Sequence, residues 1–262
     1  MNYFEIAIAT FLFYNIRYLS FAYIYDLVCR NFFTKFKINP QSAKKSMIKK
    51  EIFWGCSVGL SYMPWMVLMV WMYRNGYTKI YSDVEQYGVI YLLISTVLVF
   101  VIHDTYFFWF HYLFHKNNTL KKLSQHKVHH MFHNPTAFSA FATHPSESFM
   151  ELGFRPLILA FLPLHPYAIV AFLIISFILN CLGHSGYELF PSGFTKNPLT
   201  KFTGNSTHHY IHHTKTNYHF SLYFTWWDKI MGTEHPDYHE IFEQRASKNT
   251  ISIYPLGFKV ES

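Results

Sequence analysis

Long apolar runs alternate with short basic or polar stretches along this chain, and the run lengths predict helices of membrane-crossing size. Residues 3–29 are largely apolar and aromatic, interrupted by Arg17 and Asp26. They lack the basic start and small-residue cleavage site of a signal peptide. Residues 51–73 are a strong spanning candidate, since about 20 apolar residues cross the hydrocarbon core. Residues 87–115 form a longer run without Gly or Pro after Gly88. As a helix it is roughly 43 Å long, more than a bilayer core, so its end projects into headgroups or water. Residues 150–183 are apolar around Pro156, Pro163 and Pro166. They predict a hairpin that dips in at 150–164 and returns at 166–183, spanning or re-entrant, with a first leg too short to cross comfortably. Residues 185–262 have no spanning run and are expected to cap the rest. No internal repeat, linker or low-complexity tract interrupts the pattern.

Charge sets the expected orientation. Residues 30–50 carry Arg30, Lys35, Lys37, Lys44, Lys45, Lys49 and Lys50 with no acid, whereas Arg74 and Lys79 are balanced by Asp83 and Glu85 in 74–86. Basic loops stay in the cytoplasm. The 30–50 loop, the end of 87–115 with Lys116, Lys121, Lys122 and Lys127, and the C-terminus are therefore expected on the cytoplasmic side. The charged content of 14% is about half that of a soluble domain, and 28 Phe with 20 Tyr suit aromatic membrane belts. The net charge of +7 suits an anionic membrane surface or an acidic partner, and no nucleic-acid motif is present. Cys29, Cys56 and Cys181 form no CxxC pair and imply neither a disulfide framework nor a thiolate metal site.

The chemistry-bearing residues are histidines. Nine fall into spaced groups: His111 and His115; His126, His129 and His130; His184; and His209, His212 and His213. Positions i, i+3 and i+4 of a helix share a face, so each group points imidazoles one way. A lone histidine is more often a hydrogen-bonded polar residue than a ligand, but clustered buried imidazoles without metal would each need a partner. Nine such rings can saturate two metal ions, in a polynuclear site built almost wholly of nitrogen.

Other residues surround these groups. Asp104, two turns before His111, is expected to orient a ligand imidazole from another helix, with a local hydrogen bond as the plain reading. His144 and Glu147 could steer the second group or simply form a helix N-terminus. Asn180, one turn before His184, could face the same metal. His208 neighbours the last group, as His103, His133 and His219 neighbour others. His165, His235 and His239 lie outside every group and are expected at the surface. Residues 224–229 read as an interfacial segment stopped by Gly232, packing under the cap.

The stretches HDTYFFWFHYLFH (103–115), HKVHH (126–130), NPTAFSAFATHPSE (134–147), NCLGHSGYELFP (180–191) and STHHYIHHTKTNYHFSLYFTWWDKIMGTE (206–234) resemble the membrane fatty acid hydroxylase and sterol desaturase superfamily. The resemblance runs from about 85 to 235. HSGY and HHxxHH…WDKIMGT look like the cholesterol side-chain hydroxylase branch. PTAFSAF…HPSE looks more like sterol desaturases and bacterial relatives. Tyr112 and Tyr210 depart from the polar residues common at those positions, without removing a ligand. The resemblance implies a histidine-ligated di-iron centre on the cytosolic side, held by the nine histidines named above, that uses O2 to hydroxylate or desaturate lipid C–H bonds.

The expectation is an all-α integral membrane protein with about four transmembrane or re-entrant helices and a helical, histidine-rich cytoplasmic cap. Residues 1–84 form membrane helices and the basic loop, 85–240 the histidine-box domain, and 241–262 a tail. The expected activity is O2-dependent, di-iron oxidation of a sterol or fatty acyl chain. Zinc competes for such nitrogen sites. The chain has no GxGxxG loop and no CxxCH haem attachment motif, so electrons are expected from a separate carrier protein. A zinc hydrolase would want a Glu within the ligand motif, as in HExxH, and the histidine groups contain none. A non-catalytic metal-binding or transport protein would want ligands near the bilayer midplane, not past a helix end.

Overall fold

The expected helices form, with ends set by local chemistry. A computed structural model of the chain describes residues 1–246. Helix α1 (Tyr3–Phe32) starts at a capping box, in which the Asn2 side chain accepts from Glu5 N–H and the Glu5 carboxylate accepts from Asn2 N–H. Helices α2 (Lys45–Ser57) and α3 (Gly59–Arg74) make one long rod interrupted at Val58. Part of the basic loop expected at 30–50 is therefore helical. Ile48, Ile52 and Cys56 recur every four residues and pack on the core beside α1, and that apolar face carries Lys45, Lys49 and Lys50 into the helix. Helix α4 (Gly88–Lys116) matches the uninterrupted apolar run. Helices α5 (Asn118–Ser124), α6 (Lys127–His130), α7 (Pro145–Leu152), α8 (Phe154–Phe161) and α9 (Pro166–His184) follow. Last come α10 (Ser206–Thr214), α11 (Trp226–Ile230) and α12 (Tyr238–Ala246). Among the described residues three stretches, Lys45–Arg74, Gly88–Lys116 and Pro166–His184, are long and apolar enough to cross a membrane.

Hydrogen bonds identify the two ends of the bundle. At one end Arg74 donates to Met1 O, Lys79 N–H to Leu159 O and Tyr81 N–H to Leu164 O. At the other, Ile38 N–H donates to Gly186 O and Glu188 N–H to Phe36 O. The first leg of the expected hairpin is longer than the apolar run suggested, because helix begins at Pro145 behind an N-cap at His144. It reaches the end where residues 79–81 lie, and α9 returns. Every histidine group thus shares one end with the lysines of 35–50.

The core between the helices is aromatic. Phe100, Phe154 and Phe172 pack with Tyr223, while Tyr14, Tyr18 and Phe177 pack around Gly55 and Phe138. The segment after α9 forms the cap, where Ile211 of α10 packs on Tyr238 and Phe242 of α12. Trp227 stacks on Phe108 with ring centroids 5.7 Å apart, the packing role expected of this segment. Residues 247–262 of the expected tail, the C-terminus included, lie outside the described residues.

Two of the histidines expected at the surface are buried. His165 accepts from Tyr167 N–H through Nδ1 at the start of α9 and donates from Nε2 to Ser82 O. His235 accepts from Asp237 N–H through Nδ1. Both rings satisfy turn backbone, a use that spacing rules for ligands do not register. His239 stays partly exposed, 3.5 Å from Glu234.

Candidate metal centre

The nine histidines meet in two adjoining groups, and the groups cut across the sequence motifs. His111, His115, His126, His130 and His212 form one, and His129, His184, His209 and His213 the other. Within each group the candidate ligand atoms lie within 4.8 Å of one another. On α6 and α10 the residues four apart share a face, so His126 and His130 go to the first group and His209 and His213 to the second. The third member of each motif turns to the opposite group: His129 to the second and His212 to the first.

Nitrogen positions show what the groups are built for. Nε2 of His126 lies 3.2 Å from that of His111, 2.9 Å from that of His115 and 2.9 Å from that of His130. His212 Nε2 is 3.1 Å from His130 Nε2, and His213 Nε2 is 2.8 Å from His209 Nε2. The opposite nitrogen of several rings is already committed. His111 Nδ1–H donates to Phe220 O at 2.8 Å, His212 Nδ1–H to Tyr218 O at 2.7 Å and His184 Nδ1–H to Asn180 O at 2.9 Å. A carbonyl only accepts, so these rings carry their proton on Nδ1 and aim an Nε2 lone pair inward. Lone pairs facing one another repel unless a cation sits among them. Ligands about 2.1 Å from one ion at right angles would be about 3 Å apart, the separation seen here. His184 Nε2 is buried without any hydrogen-bond partner. Burial, with neighbouring imidazoles adding to it, holds His126, His129, His130, His209 and His213 well below the ordinary histidine range. Burial likewise brings His212 down to about 4. All are neutral near pH 7, the form that binds metal.

The flanking residues divide. Glu147 Oε1 is 2.8 Å from His126 Nδ1, in contact with the second motif. His144 takes the plain reading: it caps α7, accepting from Ser146 N–H, and reaches neither group. Asp104 does not orient an imidazole. Its Oδ1 accepts from Tyr223 N–H at 2.7 Å and Phe224 N–H at 3.2 Å, pinning a loop 119 residues away. Asn180 serves His184 through its backbone carbonyl, while its side chain donates to Ser176 O. His208 contacts Asp228 at 3.2 Å instead of the nine.

Asp228 is the residue sequence reasoning missed. Fully buried, it accepts from Phe220 N–H, Ser221 N–H and the Thr233 hydroxyl. Burial would raise its pKa, but contacts with His208, Thr233 and Ser221 hold it below the ordinary aspartate value. It grips the loop whose Phe220 and Tyr218 carbonyls orient His111 and His212. One signal was available, a lone acid in the aromatic run 224–228.

A cavity of about 90 Å³ adjoins both groups, with His111, His126, His129, His184 and His209 in its wall. A larger apolar cavity of about 410 Å³, lined from α3, α8 and α9, shares Arg155, Phe172 and Leu173 with it.

Residues 96–233 match the Fatty acid hydroxylase family. The chain belongs to that family. It is 27% identical over 226 residues to the lathosterol oxidase of Mus musculus, covering 83% of this chain and 69% of that protein. It is 28% identical over 159 residues to a Delta(7)-sterol 5(6)-desaturase of Gibberella zeae, covering 61% and 47%. It is 39% identical over 146 residues to the cholesterol 25-hydroxylase of Mus musculus, covering 54% and 47%. No solved structure matches. The family contains membrane lipid hydroxylases and desaturases, so the chain is an oxidoreductase and an integral membrane protein, and its histidine groups suit a metal site typical of the family.

Proposed function

We propose that this protein is a di-iron, O2-dependent hydroxylase or desaturase of a membrane lipid, either a sterol or a fatty acyl chain. One observation carries the reading: two groups of inward-facing imidazole nitrogens, with members of each in the wall of one cavity, adjoin an apolar pocket. His111, His115, His126, His130 and His212 hold one iron, and His129, His184, His209 and His213 the other. The bound irons supply the O2 chemistry that attacks an unactivated C–H bond. Glu147 and the carbonyls of Tyr218, Phe220 and Asn180 orient the imidazoles, and Phe107, Phe141 and Phe177 keep bulk water from the cavity. Residues 85–240 form the catalytic unit. The site faces the cytoplasm, where the lysines at the same end receive an electron carrier with an acidic surface.

The test is product formation by purified protein from membrane lipid extracts with O2 and a chemical reductant, followed by mass spectrometry. Addition of one oxygen, or loss of two hydrogens, in an iron-dependent manner is expected. Hydrolysed lipid without oxidation would replace this reading with a hydrolase.

A further inference from the structure

The smaller cavity carries two cations that the metal chemistry does not use. Arg17 of α1 and Arg155 of α8 both line it. Neither forms an ion pair among the described residues, and the Nε of each is buried without a hydrogen-bond partner. Their contacts are with aromatic groups: Arg155 donates to the Tyr62 hydroxyl at 3.2 Å and lies 4.7 Å from that ring, and Arg17 lies 5.2 Å from the Phe177 ring. Two carboxylates share the cavity, but Glu147 is engaged by His126, and neither it nor Glu151 comes within 4.0 Å of a guanidinium. Unpaired ionisable groups at membrane depth are expensive and call for a partner. Two guanidiniums with free donors match the oxygens of a carboxylate or phosphate.

We infer that Arg17 and Arg155 form a head-group subsite that binds the anionic oxygens of an acidic lipid. Volume sets the direction in which the lipid lies. About 90 Å³ has room for about three waters, enough for a head group and little chain. The apolar 410 Å³ pocket beyond Arg155 takes the tail. The acidic end then lies beside the histidines, and the carbons oxidised are those near the head. This rests on the proposed lipid oxidation for its meaning, but its test reads binding alone.

Equilibrium binding to the purified full-length protein in neutral detergent would be measured with palmitate, lysophosphatidate, hexadecanol and cholesterol. Palmitate or lysophosphatidate should bind at least about tenfold more tightly than hexadecanol, since a charge-assisted contact replaces a neutral one. Whichever acid binds better names the head as carboxylate or phosphate. The double variant Arg17→Leu, Arg155→Leu should lose that preference and keep its affinity for hexadecanol, which also shows that it is folded. Equal binding of acid and alcohol by the unaltered protein, or tighter binding of cholesterol than of either acid, overturns the subsite without needing any variant. So does a preference that survives in the double variant. A protein that binds the acids selectively yet oxidises nothing would refute the proposed function and leave the subsite standing.

Discussion

At the residue scale, ligands and their supports should respond differently to substitution. His129→Ala, His130→Ala, His212→Ala and His213→Ala should each abolish activity and lower the metal content of purified protein, because each leaves an ion short of a ligand. His165→Ala and His235→Ala should lower thermal stability through lost turn contacts and leave metal per chain unchanged. Equal metal loss in both sets would sink the assignment of the nine. Glu147→Gln and Asp228→Asn probe the supports. Each should weaken metal affinity by about 10–100-fold, read by chelator competition, since one steadies His126 directly and the other holds the loop behind His111 and His212. The approach of Glu147 to the second motif was legible in the stretch His144-Pro145-Ser146-Glu147. The Asp228 role was not, because its partners are backbone N–H groups whose approach depends on how the cap folds.

At the element scale, α9 delivers His184 and must then turn away at once to start the cap. Gly186 makes that turn with φ +73°, and a Cβ there would lie 2.9 Å from the Pro135 carbonyl oxygen. Gly76 also has positive φ, at +76°, but open space around it. Gly186→Ala should therefore cost more than the roughly 1 kcal/mol of backbone strain that Gly76→Ala brings, because a carbonyl cannot swing aside as a side chain can. Thermal unfolding of the two variants compares them. Similar midpoints would show that the close approach to Pro135 relaxes freely. The extent of α9 was legible in the apolar run 166–183, but the contact between residues 135 and 186 belongs to packing.

At the scale of the whole molecule, the bundle keeps the lysines of 35–50 and the nine grouped histidines at one end and residues 74–86 at the other. With that first end in the cytoplasm, Thr78→Cys should react with an impermeant thiol reagent applied to intact cells, and Pro40→Cys should not. Labelling at 40 with protection at 78 would invert the orientation. Purified protein should contain about two metal ions per chain, and their removal by chelator should lower the unfolding midpoint, because ions bound only by the native state stabilise it. A fully active metal-free preparation would end the metal reading.

The sequence by itself determined the long apolar helices, the grouping of the histidines along the chain and the clustering of basic residues. These are local properties: run length, a period of 3.6 and residue type decide them within a few turns of chain. Helical spacing put all three histidines of each motif on one face, which holds for His126 with His130 and for His209 with His213 but not for His129 or His212. Only the tertiary structure decided how the motifs divide. His129 and His212 cross to the opposite group because the rings of α6 and α10 meet across the cap, His129 4.6 Å from His213 and His130 4.7 Å from His212 between centroids. It also sent Asp104 to the loop at 223–224 instead of to an imidazole, and it brought Arg17 and Arg155 to one cavity from distant helices. Such pairings depend on how helices pack against one another. That packing comes from burial summed over the whole bundle, and no local pattern encodes it.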